Sequence, residues 1–184
     1  MTILIAVTGG FGSGKSELVN IISKLHGSNK VTTLKFAQPL YDIQKLIQNY
    51  LNLPLSKDRN LLQLIGTEWG RKKDSDIWVN EFLKNLDKLK SYYDVIICDD
   101  MRYFNEFNAL KEKGFITVKI ERFFKFRDLY QGTGINDHSS EMELVLHPCE
   151  NFDFYIVNNS TYDDFVYQVS EMFLDIVENL KEIL

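Results

Sequence analysis

The sequence predicts an α/β fold, a doubly wound parallel sheet of five strands with helices on both faces. Three observations predict it. Strand-like and helix-like runs alternate along the whole chain. The run Asp94-Val95-Ile96-Ile97-Cys98-Asp99 is apolar on both faces, as a strand between two helix layers is. A Gly-rich loop joins a short apolar strand at the start of the chain directly to an amphipathic helix.

The elements follow in order. Residues 3–8 form the first strand, and the helix after the loop runs to about residue 25. Residues 31–36 read as a second strand. Pro39 sits near the start of the next helix, where proline is tolerated, and that helix extends to about residue 51. Leu53-Pro54-Leu55-Ser56 breaks it, and Asp58 can cap a helix carrying Leu61, Leu62, Leu64 and Ile65. A further helix is expected over 77–89, the central strand over 94–99, a helix over 105–113 ended by Gly114, and strands over 115–121 and 154–157. The last helix begins near Thr161, with Asp164 in a capping-box position. Phe165, Val166, Val169, Met172, Phe173, Ile176, Val177 and Leu180 give it a core-facing stripe. No repeat or linker interrupts the 184 residues, so one domain is expected.

Composition narrows the function classes. No apolar run approaches a membrane span, and the five-residue apolar stretch at the start lacks a basic region before it, so it reads as a strand and not as a signal peptide. Cys98 and Cys149 form no C-x-x-C pair, which fits a reducing cytoplasm, host cytoplasm if the source is viral. A net charge of −5 and a pI near 5.3 argue against a broad grip on nucleic acid. The five arginines, Arg59, Arg71, Arg102, Arg122 and Arg127, all fall in the middle of the chain. Arginine is the better residue for forked contacts to phosphate, so a small phosphorylated substrate remains open.

The chemistry is concentrated in Gly9-Gly10-Phe11-Gly12-Ser13-Gly14-Lys15-Ser16, which reads G-x-x-x-x-G-K-S, a phosphate-binding loop. The glycines let several backbone N–H groups turn inward on phosphate oxygens, and the following helix adds its positive end. Lys15 can reach the β- and γ-phosphates, and the Ser16 hydroxyl can bind Mg²⁺. Ligands of such sheets sit beyond the strand C-terminal ends, which places the loop, Asp99-Asp100-Met101-Arg102 and Asn158-Asn159 along one edge. Asp99 and Asp100 end a strand where phosphate-loop enzymes keep an acid for the metal. Alternation puts the two on opposite sides and leaves open which one meets it. The helical stretch 38–90 is too large for a simple crossover and can close over a second substrate. Tyr130-Gln131-Gly132-Thr133-Gly134-Ile135-Asn136 reads as a lid loop. Ser140 with Glu143 forms a capping box, and His138 and His147 lack metal-ligand spacing, so no zinc is expected.

Several segments together resemble the bacteriophage-type deoxynucleoside monophosphate kinases. They are Phe36-Ala37-Gln38-Pro39-Leu40, Leu61 to Arg71 with its Gly66-Thr67-Glu68-Trp69-Gly70-Arg71, Asp76-Ile77-Trp78-Val79, and Asp99-Asp100-Met101-Arg102-Tyr103-Phe104-Asn105-Glu106. Ile120-Glu121-Arg122 and His138-Ser139-Ser140-Glu141 continue the likeness in the same order. The resemblance implies a three-layer P-loop kinase fold. It implies a helical insertion at about 38–90 for the monophosphate and a short lid at about 123–145. It also implies transfer of the γ-phosphoryl group of ATP to a deoxynucleoside 5′-monophosphate with Mg²⁺. On that basis Gly10, Phe11, Gly12, Ser13, Gly14, Lys15, Ser16, Asn158 and Asn159 would bind ATP, and Ser16 with Asp99 would hold the metal. Phe36, Arg59, Gly66, Thr67, Arg71, Trp78, Asp100, Arg102 and Glu141 would meet the acceptor, although packing is the plainer role for Trp78. Lys15, Asp99, Arg102, Arg122 and Arg127 would act on the transferring group.

The partners implied are ATP and the monophosphate, with no membrane and no extended nucleic acid. A homodimer is compatible with the sequence and not required by it. The alternatives are another small-molecule kinase on the same fold, such as one similar to dephospho-coenzyme A kinase, a kinase of a modified base in DNA, and a nucleotide-binding module without turnover.

Overall fold

The computed structural model of the protein describes residues 2–123, 143–144 and 146–182. Its centre is one parallel sheet of β1 (Ile3–Thr8), β2 (Val31–Thr33), β3 (Val95–Cys98), β4 (Ile116–Glu121) and β5 (Phe154–Val157), in the order β2-β3-β1-β4-β5. The helices are α1 (Lys15–His26), α2 (Gln38–Tyr50), α3 (Arg59–Gln63), α4 (Ile77–Leu89), α5 (Phe104–Glu112) and α6 (Tyr162–Glu182). A π-helical segment, Leu64–Arg71, continues α3, and a 3₁₀ turn covers Cys149–Asn151. Among the described residues no helix is long and apolar enough to cross a membrane.

The pleat of β1 divides the core. Ile3, Ile5 and Val7 pack with Leu18, Ile21 and Ile22 of α1 and with Phe165, Val169, Met172, Phe173 and Ile176 of α6. Leu4 and Ala6 point the other way, toward Trp78, Val79, Phe82 and Leu86 of α4 and Phe107 and Leu110 of α5. The α6 stripe is thus the core face its spacing predicts. Two-residue alternation in a strand buried on both sides produces the two helix layers.

Most expected elements occur within one or two residues of their expected ends, and the reasons are visible. The Asp58 carboxylate accepts from the Leu61 N–H at 3.0 Å and starts α3. Thr161 and Asp164 exchange hydrogen bonds at the start of α6, the Thr161 N–H reaching Asp164 Oδ2 at 3.3 Å and the Asp164 N–H reaching Thr161 Oγ1 at 3.2 Å. Pro39 stands in the first turn of α2. Two expectations change. β2 stops at Thr33 and not at residue 36, because the Phe36 and Ala37 N–H groups both turn to the Asp100 carboxylate, each at 3.0 Å. The helix expected around Leu61–Ile65 is a five-residue α-helix that widens into the π-helix.

Candidate active site

The strand order reverses beside β1, whose neighbours are β3 and β4, and the loop Gly9–Gly14 leaves β1 at that point. A cleft of about 440 Å³ opens there, lined by this loop, by Lys15 and Ser16, and by Asp100, Met101, Arg102 and Leu144 across from it. The loop's conformation depends on its glycines. Gly9, Gly12 and Gly14 have φ of 152°, 70° and 114°, a region side chains avoid. A Cβ on Gly9 would lie 2.3 Å from the Ile120 carbonyl oxygen. One on Gly14 would lie 2.8 Å from Asn158 Nδ2 and 2.9 Å from Phe165.

Residues from distant parts of the chain hold the loop. Asn158 Nδ2 donates to the Ser13 carbonyl at 2.8 Å, and its own N–H donates to the Glu121 carbonyl at 2.8 Å. Asn159 Oδ1 accepts from the Phe123 N–H at 2.7 Å. Arg122 reaches the Gly12 carbonyl at 3.4 Å. Lys15 Nζ donates to the carbonyls of Gly9 and Gly10 at 2.7 and 2.8 Å, so its ammonium folds back over its own loop. Ser13 is buried within the loop and Phe11 is exposed beside it.

The two acids at the end of β3 have separate surroundings. Asp99 is 6 % exposed; its Oδ2 pairs with Lys35 Nζ at 3.0 Å, and its Oδ1 has no hydrogen-bond partner among the described residues. Such an oxygen is suited to a hard cation. No cluster of three or more His, Cys, Asp or Glu able to hold a metal occurs among the described residues. A divalent ion here would therefore take one or two protein oxygens and complete its shell with phosphate and water, the habit of Mg²⁺. Ser16 lines the cleft and fits that role, whereas Asp99 is not among the residues that line it. Asp100 lines the cleft, but both its oxygens already accept from backbone N–H groups. Burial pushes its carboxyl above the usual range, and those two hydrogen bonds oppose the rise.

Two of the three arginines expected for the acceptor meet one carboxylate, Arg71 through its guanidinium and Arg102 through its backbone N–H, and of the two only Arg102 lines the cleft. Glu106, 1 % exposed on α5, pairs through Oε1 with Arg71 of the π-helix. Its Oε2 accepts from the N–H groups of Arg102 and Tyr103 at 2.7 and 3.1 Å. The Arg71 guanidinium also stacks on the Tyr103 ring at 3.7 Å and donates to the Ser75 carbonyl at 3.3 Å. Burial raises the Glu106 carboxyl to about 7, against the pull of Arg71 and the two N–H groups. Arg59 stands apart from this cluster, exposed at the first residue of α3.

Among the described residues, the other expected acceptor residues do not line the cleft, and Phe36 and Trp78 belong to the core. Phe36 is buried and stacks on Phe82 with ring centres 4.3 Å apart. Trp78 is buried and donates from Nε1 to the Gly66 carbonyl at 2.9 Å. Gly66 packs under Leu40, and Thr67 is half-buried on the π-helix. Arg127, Glu141, His138, the 130–136 loop and most of the expected lid at 123–145 lie outside the described residues. So does Ser140 of the expected capping box. Its Glu143 is described, and Oε1 accepts from the Phe104 N–H at 2.7 Å.

Two residues of the site escape a reading of the sequence, as does the role of a third. Lys35 is one lysine among sixteen, and only the fold brings it to Asp99. Leu144 enters the cleft wall from a segment with no marked pattern. Glu106 did carry a signal, since an acid three residues after a helix start is the capping position. That spacing says nothing of Arg71, 35 residues away.

No family model matches the chain. A protein of Acanthamoeba polyphaga mimivirus named "Putative deoxynucleotide monophosphate kinase" is 26% identical over 200 residues, covering 91% of this chain and 94% of its own length. Among solved structures, a gluconokinase from Sinorhizobium meliloti superposes with a TM-score of 0.54 at 16% identity, covering 97% of this chain and 95% of its own. A dephospho-CoA kinase from Campylobacter jejuni gives 0.54 at 14% identity, covering 95% and 97%. A shikimate kinase from Aquifex aeolicus gives 0.52 at 16%, covering 97% and 98%. Sheet order and the loop after β1 agree with these likenesses, which run along nearly the whole length, and the chain has the fold that these kinases share.

Proposed function

We propose that the protein is a kinase that transfers the γ-phosphoryl group of ATP to a deoxynucleoside 5′-monophosphate. The observation that carries the reading is the second set of cations: Arg102 lines the cleft facing the phosphate loop, and Arg71 is tied to the same carboxylate that holds the Arg102 backbone. A donor triphosphate needs the loop alone. Arg102 across the cleft, with Arg71 braced on the same carboxylate, suits a second phosphate brought end to end with the first. The name of the mimiviral relative favours the same substrate class.

In this reading the N–H groups of the loop and the start of α1 bind the ATP phosphates. Lys15 leaves the Gly9 and Gly10 carbonyls and turns to the terminal phosphates. Arg71 and Arg102 hold the acceptor so that its phosphate oxygen lies in line with the γ-phosphorus. The new P–O bond forms as the bond to the β–γ bridging oxygen breaks, and ADP leaves with that electron pair. No catalytic base is required, because a phosphate monoester with a second pKa near ~6 is mostly ionised at neutral pH. Ser16 is the residue of the cleft that would hold Mg²⁺, which would supply positive charge to the phosphate oxygens. The insertion 38–90 serves the acceptor in this arrangement, and Arg122 lies beside the loop on the donor side.

The test is ADP release from ATP with each deoxynucleoside monophosphate, and each ribonucleotide counterpart, offered in turn. Stimulation at least about tenfold over ATP alone by one or more deoxynucleotides is expected. Stimulation by dephospho-coenzyme A and by no nucleoside monophosphate would overturn the assignment, and so would ATP binding with no stimulation by any acceptor.

A further inference from the structure

We propose that Glu106 is a positioning residue, one carboxylate that sets Arg71 and Arg102 as a pair before any acceptor arrives. The inference deepens the functional reading above and rests on it for the identity of the ligand.

The geometry is specific. Arg71 and Arg102 belong to different elements, 31 positions apart in the sequence. Each is fixed by a different oxygen of the same side chain. Oε1 takes the Arg71 guanidinium, and Oε2 takes the Arg102 N–H at 2.7 Å, which fixes where that residue leaves the backbone. Glu106 is too deeply buried to touch a substrate, at 1 % exposure. It therefore acts through the arginines. Tyr103, stacked on the Arg71 guanidinium at 3.7 Å, covers one face of that fork. An arginine already held in place loses less side-chain freedom when a phosphate binds.

Glutamine distinguishes positioning from simple capping. Glu106→Gln keeps a carbonyl oxygen that can accept from the Arg102 and Tyr103 N–H groups, while its amide nitrogen is a donor and cannot pair with Arg71. The start of α5 is thus retained and the Arg71 tether alone is cut.

Two measurements test this. Arginine side-chain ¹⁵N NMR is tractable because the chain has only five arginines, and Arg71 is assigned by its loss in Arg71→Lys. In the wild-type protein its guanidinium signal should show slowed rotation, and Glu106→Gln should abolish that. An unchanged Arg71 signal overturns the proposal whatever the substrate proves to be. In steady-state kinetics, Glu106→Gln should raise the acceptor KM about tenfold or more, with the ATP KM within about twofold. In an Arg71→Ala background the same change should have almost no effect on the acceptor KM, because the two act as a unit. Full additivity of the two substitutions, or equal rises in both KM values, overturns the positioning role. Failure of every monophosphate to stimulate the wild-type enzyme would instead overturn the substrate assignment, and the NMR result would still decide the role of Glu106.

Discussion

Lys15 bonds to the carbonyls of its own loop, and in the proposed reaction the same ammonium turns to the terminal phosphates. Lys15→Ala should therefore lower kcat by at least about a hundredfold with the fold intact, the usual cost of losing a group aimed at developing charge. Circular dichroism separates that result from unfolding. Arg102→Ala should act on the other substrate, raising the acceptor KM with little change in the ATP KM. Unchanged acceptor kinetics would remove Arg102 from the binding site. Glu106 allows a prediction in pH. It faces Arg71 from the π-helix, Asp100 and Cys98 from the end of β3, and the N–H groups of Arg102 and Tyr103. Its carboxyl is raised from 4.5 to about 7 by folding, so the folded state favours the protonated form. Its contribution to stability is fully present below about 4.5 and is lost as pH rises through about 7. Relative to wild type, Glu106→Gln should thus gain on the order of 3 kcal/mol of unfolding free energy between pH 4 and pH 8, read from urea titrations at both values. A pH-independent difference would contradict the raised carboxyl.

At the scale of elements, the π-helix explains the Gly66 to Arg71 motif in steric terms. Gly66 lies where a Cβ would stand 3.0 Å from Leu40, and Gly70 where one would stand 2.6 Å from the Trp78 ring and 2.8 Å from the Ile65 carbonyl. The two glycines let the segment seat on α2 and α4, and Trp78 locks it by bonding to the Gly66 carbonyl at 2.9 Å. Arg71 at its end is aimed by that seating. Gly70→Ala should cost about 1–3 kcal/mol through overpacking, measured by chemical denaturation, and should raise the acceptor KM more than the ATP KM. The motif was legible in the sequence, but its winding was not, because an i to i+5 pattern over eight residues leaves no period distinct from a helix. β2 shows a similar gap. Val31 to Phe36 has strand composition throughout, and only the Asp100 carboxylate, 64 positions away, turns the chain out of the ladder.

At the scale of the molecule, the sheet brings sequence-distant residues to the phosphate loop. Asn158 reaches Ser13 across 145 positions because β5 pairs with β4, β4 with β1, and α6 packs on α1. Asn158→Ala should loosen the loop, raising the ATP KM about three- to tenfold while leaving the acceptor KM near wild type. Layering, strand count and the place of the loop were readable because periodicity and the glycine spacing are local signals. The pairing of Arg71 with Glu106, and of Asp99 with Lys35, was not, because side chains that meet only through tertiary structure leave no spacing to read. The most direct test of the whole account follows phosphorus itself. In ³¹P NMR of enzyme, Mg²⁺, ATP and a stimulating deoxynucleoside monophosphate, the γ-phosphate signal of ATP should be replaced by the β-phosphate of a deoxynucleoside diphosphate. Appearance of inorganic phosphate alone, with the monophosphate signal unchanged, would show that the two anions are never brought together and would contradict it.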